Sequence, residues 1–169
     1  MATFGQRIVG AAKLNVPTYE EIENDASATG QALAVVILSS IAAGIGQRHG
    51  FVLAVIAALA GWFAWAFLIY VIGTKLLPEP QTHADVGQLL RTTGFSAAPG
   101  LLRVLGIIPL LGPVIMLIIG IWMLAAMIIA VRQALDYTST WRAIGVSVIG
   151  WIVYMAIIAV LGFSFRPMT

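Results

Sequence analysis

The sequence predicts an all-α fold, a polytopic bundle of about five transmembrane helices preceded by short amphipathic N-terminal helices. Three observations predict it. Hydrophobic residues make up 60% of the 169-residue chain and charged residues only 9%, against roughly 25% charged in a soluble domain. Long apolar runs follow one another, and the clearest, 51–73, holds 23 residues without a charge, where a span needs about 20. Between the runs lie short connections rich in Pro, Gly and polar residues.

The element order follows from these runs. Residues 3–13 read as an amphipathic helix with Phe4, Ile8 and Ala11 or Ala12 on one face and Arg7 and Lys13 pointing elsewhere. Such a segment beside a membrane lies in the headgroup layer. Pro17 breaks the chain, and Thr18 with Glu21 forms a capping box for a second helix. In it Tyr19, Ile22 and Ala26 recur at helical spacing, and Glu20, Glu21, Glu23 and Asp25 fill the opposite side. Residues 1–29 thus form an amphipathic N-terminal segment. It lacks the pattern of a cleaved signal peptide, so the first apolar run is expected to act as a signal-anchor.

Spans are expected at about 30–46, 51–73, 94–111, 114–131 and 143–163. A polar turn, Gln47 to Gly50, joins the first two. Lys75, Pro78 and Pro80 end the second. In the longest polar connection, 74–93, Thr82 caps a short helix containing Asp85, Leu89, Leu90 and Arg91. The third span is the marginal one, since Pro99-Gly100 and Pro109 interrupt it and Arg103 sits within it. A mid-span arginine costs about 3 kcal/mol, and each Leu or Ile returns about 0.5. The eight aliphatic residues from Leu101 to Leu111 return about 4 in total. The segment is therefore expected to be short or broken. Pro109, Gly112 and Pro113 make the next turn. Thr138, Ser139 and Thr140 are candidate caps of the last helix, and Trp141, Trp151, Phe163 and Phe165 are candidate interface or bundle aromatics.

Basic residues set the orientation. With five spans, Arg7, Lys13, Lys75, Arg91, Arg132 and Arg142 share one side with the N-terminus, and Arg48 and Arg166 lie on the other. The positive-inside rule makes the richer side cytoplasmic. The expectation is an integral protein of a bacterial cytoplasmic (inner) membrane, N-terminus in and C-terminus out. The Ala- and Gly-rich, lysine-poor usage points to a GC-rich genome.

The chemistry-bearing residues are few. The net charge of +2 is too small and scattered for nucleic acid. Without cysteine there are no disulfides, thiolate metal sites or cysteine nucleophiles. Arg103 stands out because a buried guanidinium needs a partner. Asp85, Asp136 and the cluster Glu20, Glu21, Glu23 and Asp25 are the acids that could form an ion pair with it. A lipid headgroup or a partner protein is the other contact open to this set. The acidic cluster by itself reads first as a solvated face favoured by a helix N-terminus. His49 and His83 stand apart, and Asp85, two residues after His83, does not share its helix face. Ser39, Ser40, Ser96 and Ser147 have no base nearby in sequence and are expected to bond between helices. Small residues four apart, Ala57 with Gly61, Ala60 with Ala64 and Ala126 with Ala130, allow close helix contact. Trp62, Phe63, Trp65, Phe67 and Tyr70 surround the second span. No metal, cofactor or catalytic residue is expected.

Several stretches resemble the Ypt-interacting protein family (Yip, of the Yip-one type) in its small prokaryotic form. They are Leu14-Asn15-Val16-Pro17-Thr18-Tyr19-Glu20-Glu21-Ile22-Glu23, Leu89-Leu90-Arg91-Thr92-Thr93-Gly94-Phe95-Ser96-Ala97-Ala98-Pro99, Gly120-Ile121-Trp122 and Val131-Arg132-Gln133-Ala134-Leu135. Their order carries the resemblance from about residue 6 to 160, making 1–169 a single Yip-like membrane domain. The resemblance implies five membrane helices, a cytoplasmic N-terminus and no catalytic residues. Eukaryotic members are associated with small prenylated GTPases and vesicle traffic, a role not carried over here.

Two function classes remain. The first is a non-enzymatic scaffold or accessory subunit that packs against other integral membrane proteins, with the lipid bilayer as its other partner and self-association compatible with it. The alternative is a small transporter or channel for an ion or lipid, which would need a polar path through the bundle.

Overall fold

The computed structural model describes residues 2–47 and 51–164, and is all-helical over them. The expected turn residues Arg48, His49 and Gly50, together with Phe165 and Arg166, lie outside the described residues, as does the side chain of Phe163.

Two short helices, α1 (Phe4–Ala12) and α2 (Val16–Asn24), form a hairpin. Thr3 and Gln6 close a capping box on α1. On α2 the cap is Asn15, whose side chain accepts from the Thr18 N–H, so Thr18 lies inside the helix instead of capping it. Pro17 explains the shift: it suits the first turn of a helix, where its missing N–H costs nothing.

Four helices are long and apolar enough to cross a membrane: Ala28–Gln47, Val55–Leu76, Gly112–Ala134 and Thr140–Val160. They belong to α3 (Ala28–Gln47), α4 (Phe51–Val71) with its one-turn π extension Ile72–Leu76, α6 (Gly112–Ala134) and α7 (Thr140–Ser164). The π turn leaves carbonyls without their usual partners, and the buried Tyr137 hydroxyl donates to the carbonyls of Gly73 and Leu77. The last helix begins directly after Ser139, within the expected cap triplet.

The third segment is broken, as expected, but differently from a short span over 94–111. It consists of α5 (Val86–Phe95) and a ten-residue 3-10 helix, Ala98–Ile107. Asp85, not Thr82, caps α5, in a capping box with Gln88. Thr82 instead accepts from the Glu79 N–H in the preceding turn.

A 3-10 helix repeats every three residues, so Gly100 and Gly106 fall on one stripe, which Gly94 of α5 extends toward the basal end. That stripe lies along α3. A Cβ on Gly94 would come 2.8 Å from Ala32, one on Gly100 2.1 Å from the Ser39 Oγ, and one on Gly106 3.3 Å from the Gly46 carbonyl. The contacts advance in parallel from Ala32 to Gly46, about 20 Å along α3 at 1.5 Å per residue. The broken segment therefore supplies a fifth passage through the bundle.

The chain thus alternates between two ends. At the basal end lie α1, α2, the 74–85 connection and the α6–α7 turn. The distal end holds Gln47, the start of α4 and the 108–111 turn. The core has two parts. One centres on Ile69, Ile72, Leu89, Leu135 and Tyr137, the other on Ala11, Tyr19, Ile22, Val35 and Phe95. Of the small-residue pairs, Ala126 and Ala130 are buried as expected, and Gly61 meets Tyr154, while Ala57, Ala60 and Ala64 face outward.

Candidate functional site: the basal helix clamp and Arg103

The acidic residues singled out in the sequence gather at the basal end, around an arginine that the sequence reading placed in the headgroup layer. Arg7 is 1% exposed. It projects from α1 between α2 and α3, donating to Glu21 (3.0 Å), Asp25 (2.5 Å) and Gln31 (3.0 Å). Glu21 also accepts from the Ala2 N–H, and Asp25 from Ser27. Glu21 and Asp25 stand four apart, which puts two carboxylates on one face. That spacing was the signal in the sequence for a shared cation.

The electrostatics follow. Burial alone would lower the Arg7 guanidinium, but its bonds to Asp25 and Glu21 outweigh that and raise it. Hydrogen bonds from Ser27 and Arg7 hold Asp25 down to about 2. The Ala2 N–H, followed by Arg7, lowers Glu21. The helix dipole is not the cause, since no acid lies in the first turn of α2.

Glu23, by contrast, is 5% exposed and pushed up to about 7, first by burial and then by Asp136. It accepts from the Gln88 side chain, while Arg91 donates twice to its main-chain carbonyl (3.1 and 2.6 Å). Thus Arg91 fastens the α2 backbone to α5 without neutralising the Glu23 carboxyl. Glu20 completes the clamp by accepting from Gln133 of α6 (3.2 Å). Further bonds lock the elements behind it. Trp62 donates to the Leu90 carbonyl and the Thr93 hydroxyl, and Trp122 to the Ala12 carbonyl.

A second basal pair, Arg142–Glu79 at 3.3 Å, closes the 74–85 connection onto α7. Glu79 also accepts from the Thr138 N–H, the main cause of its lowered pKa.

Arg103 does not join the acids. The ion pairs among the described residues are Arg7–Glu21, Arg7–Asp25 and Arg142–Glu79. The reason is geometric. Arg103 sits on the 3-10 helix beside Gly46, at the distal end, while Glu20, Glu21, Glu23, Asp25, Asp85 and Asp136 all lie at the basal end. The expected pairing of Arg103 with this set is therefore corrected: Arg7 is the cation of Glu21 and Asp25, and Arg91 meets the main-chain carbonyl of Glu23. Asp85 is spent on capping α5, and His83 lies exposed in the preceding coil.

Among the described residues, no three His, Cys, Asp or Glu side chains stand together as a metal site would require. What the geometry provides is a set of apolar crossings bound at one end by a polar clamp. A family model described as the Yip1 domain matches residues 16–161. The chain belongs to the Yip1 domain family. The matched region begins with α2 and ends within α7, so it takes in the acidic half of the clamp and every crossing of this Yip1-domain chain. No curated protein and no solved structure matches it.

Proposed function

We propose that this Yip1-domain membrane protein is a non-enzymatic scaffold or accessory subunit that engages other integral membrane proteins through helix–helix contacts. The observation that carries this reading is the distal half of α7. From Trp151 to Ala159 every residue is exposed except Tyr154, which is half-buried. A helix apolar on all sides belongs in a bilayer or against a neighbour. The basal half of α7, in contrast, buries Ala143 and Val146 at 0% exposure. The free half offers Ile152, Val153, Ala156 and Ala159 to a partner helix.

The polar groups support the same reading over a transporter. The hydroxyls of Ser40, Thr92, Thr93 and Ser96 each donate to a main-chain carbonyl of their own segment. Groups spent in this way do not line an ion path. We place the protein, a single membrane domain of prokaryotic Yip type, in a bacterial cytoplasmic membrane with the clamp in the cytoplasm. The basic residues favour that side six to two.

A photo-crosslinking side chain at Val153 in living cells tests the scaffold reading. The expected result is a discrete crosslink to an integral membrane protein, lost when the probe sits at buried Ala66. Crosslinks at Val153 to lipid alone would overturn it. A C-terminal reporter active only outside the cytoplasm is expected, and activity in the cytoplasm would reverse the orientation.

A further inference from the structure

Between α4, α6 and α7 the bundle is incompletely filled. Two clefts of about 430 and 390 Å³ lie side by side and share Trp65, Leu124, Met127 and Trp151. Their walls are apolar, and three methionines, Met123, Met127 and Met155, give the larger one adaptable shape, Met127 lining the smaller as well. The polar groups in the larger cleft are mostly committed. Ser96 donates to the Thr93 carbonyl, and the Trp65 indole points at the Met127 sulfur. The smaller cleft holds an exception. Ser147 lines it, is 8% exposed, and its Oγ has no hydrogen-bond partner. An unmade hydroxyl bond in an apolar site costs about 1–3 kcal/mol, so an acceptor brought in by a ligand would be stabilised there.

We propose that the two adjoining clefts together bind one acyl chain of a bilayer phospholipid, the chain lying in the larger and its ester carbonyl accepting from the Ser147 hydroxyl in the smaller. Size argues against a partner helix: a helix about 10 Å across fills roughly 400 Å³ with each turn, so either cleft would admit a single turn. A flexible chain fits a narrow, irregular space. Depth agrees as well. Ser147 lies about 10 Å along α7, and α7 overshoots a 30 Å hydrocarbon core by a few Å at each end. The hydroxyl is thus within about 7 Å of the level where ester groups begin. The cleft flanks, Leu124, Val148 and Trp151, are exposed and open sideways onto the bilayer. The inference concerns the inner side of α7 and does not depend on what meets its outer face.

The test is native mass spectrometry of the delipidated full-length protein mixed with palmitoyl-oleoyl-phosphatidylcholine in detergent. The wild type should hold one phospholipid per chain. A Cβ at Gly120, which lines the larger cleft, meets nothing within 4 Å. Gly120→Phe should therefore fold, fill the space and lower occupancy at least tenfold. Ser147→Ala should weaken binding about fivefold, as loss of one ordinary hydrogen bond does. It should also abolish the preference for the diester over a diether phosphatidylcholine, which lacks the carbonyl. A wild type without a saturable adduct, a folded Gly120→Phe that binds as well as wild type, or equal diester and diether binding by the wild type would each overturn the proposal.

Discussion

The basal clamp and the distal half of α7 are opposite solutions to the same problem. Both belong to a chain with few charges, yet the clamp concentrates most of its acids in a network that crosses five elements. Along distal α7, Tyr154 packs edge-on against Trp65 while its described neighbours stay exposed. Helices in lipid gain little from hydrophobic burial against one another, because lipid tails are as apolar as leucine. They must be held by polar bonds, by close approach of small residues, or by connecting turns. The clamp uses the first and the α3/3-10 seam the second, while distal α7 meets the bundle through Tyr154 against Trp65.

Arg7→Leu should break this contrast most. It leaves Glu21 and Asp25 without their cation. Loss of one partner of a buried pair costs about 3–5 kcal/mol, to be discounted to about 2–3 because the Glu21 side chain is 34% exposed. Limited proteolysis in membranes should show residues 2–27 cleaved far faster while α3 to α7 stay protected. Equal protection would mean that the hairpin is held by Phe4, Tyr19 and Ile22 alone.

Gly46→Ala comes next, and tests whether the distal end is loose throughout. Its Cβ would lie 2.0 Å from the Arg103 carbonyl, a backbone atom that cannot swing away. Overpacking of this kind costs about 1–3 kcal/mol, visible as a lower melting temperature in detergent. An unchanged temperature would show that the seam opens without penalty.

The clamp should also respond to pH. Glu23 is raised from 4.5 to about 7, so its neutral form is favoured in the folded protein. Its contribution is full below about pH 4.5 and is lost as pH rises through 7. Asp25 acts oppositely: its contribution is present above 3.8 and is lost as pH falls towards 2. Hairpin protection should therefore be greatest near pH 4–5 and decline towards pH 8. Glu23→Gln should flatten the decline between pH 4.5 and 7, and an unaltered profile would assign it elsewhere.

Val153→Ala should matter least, at under about 0.5 kcal/mol for the isolated protein, as for exposed positions generally. A larger drop in melting temperature would show that distal α7 is packed within the chain after all.

Much of this architecture was legible in the sequence. Hydropathy depends on each segment's own residues, so runs such as 51–73 and 114–131 marked α4 and α6 within a few residues. Pro99, Gly100 and Pro109 foretold the broken third passage, because proline and glycine act on the local backbone. The identity of the caps failed by a few residues, at Thr18 and Thr82, where several polar side chains competed and local order chose Asn15 and Asp85. What only the tertiary structure decided was partnership. Arg103 was the conspicuous cation, but it lies at the far end of the bundle from every acid considered for it. Arg7, which looked like a headgroup anchor, is the buried one. The i,i+4 spacing of Glu21 and Asp25 shows that two acids share a face, yet not which cation meets them. That choice depends on how α1 folds back onto α2 and α3, and Coulomb attraction in a low-dielectric site rewards only the charges that the packing brings within a few ångströms.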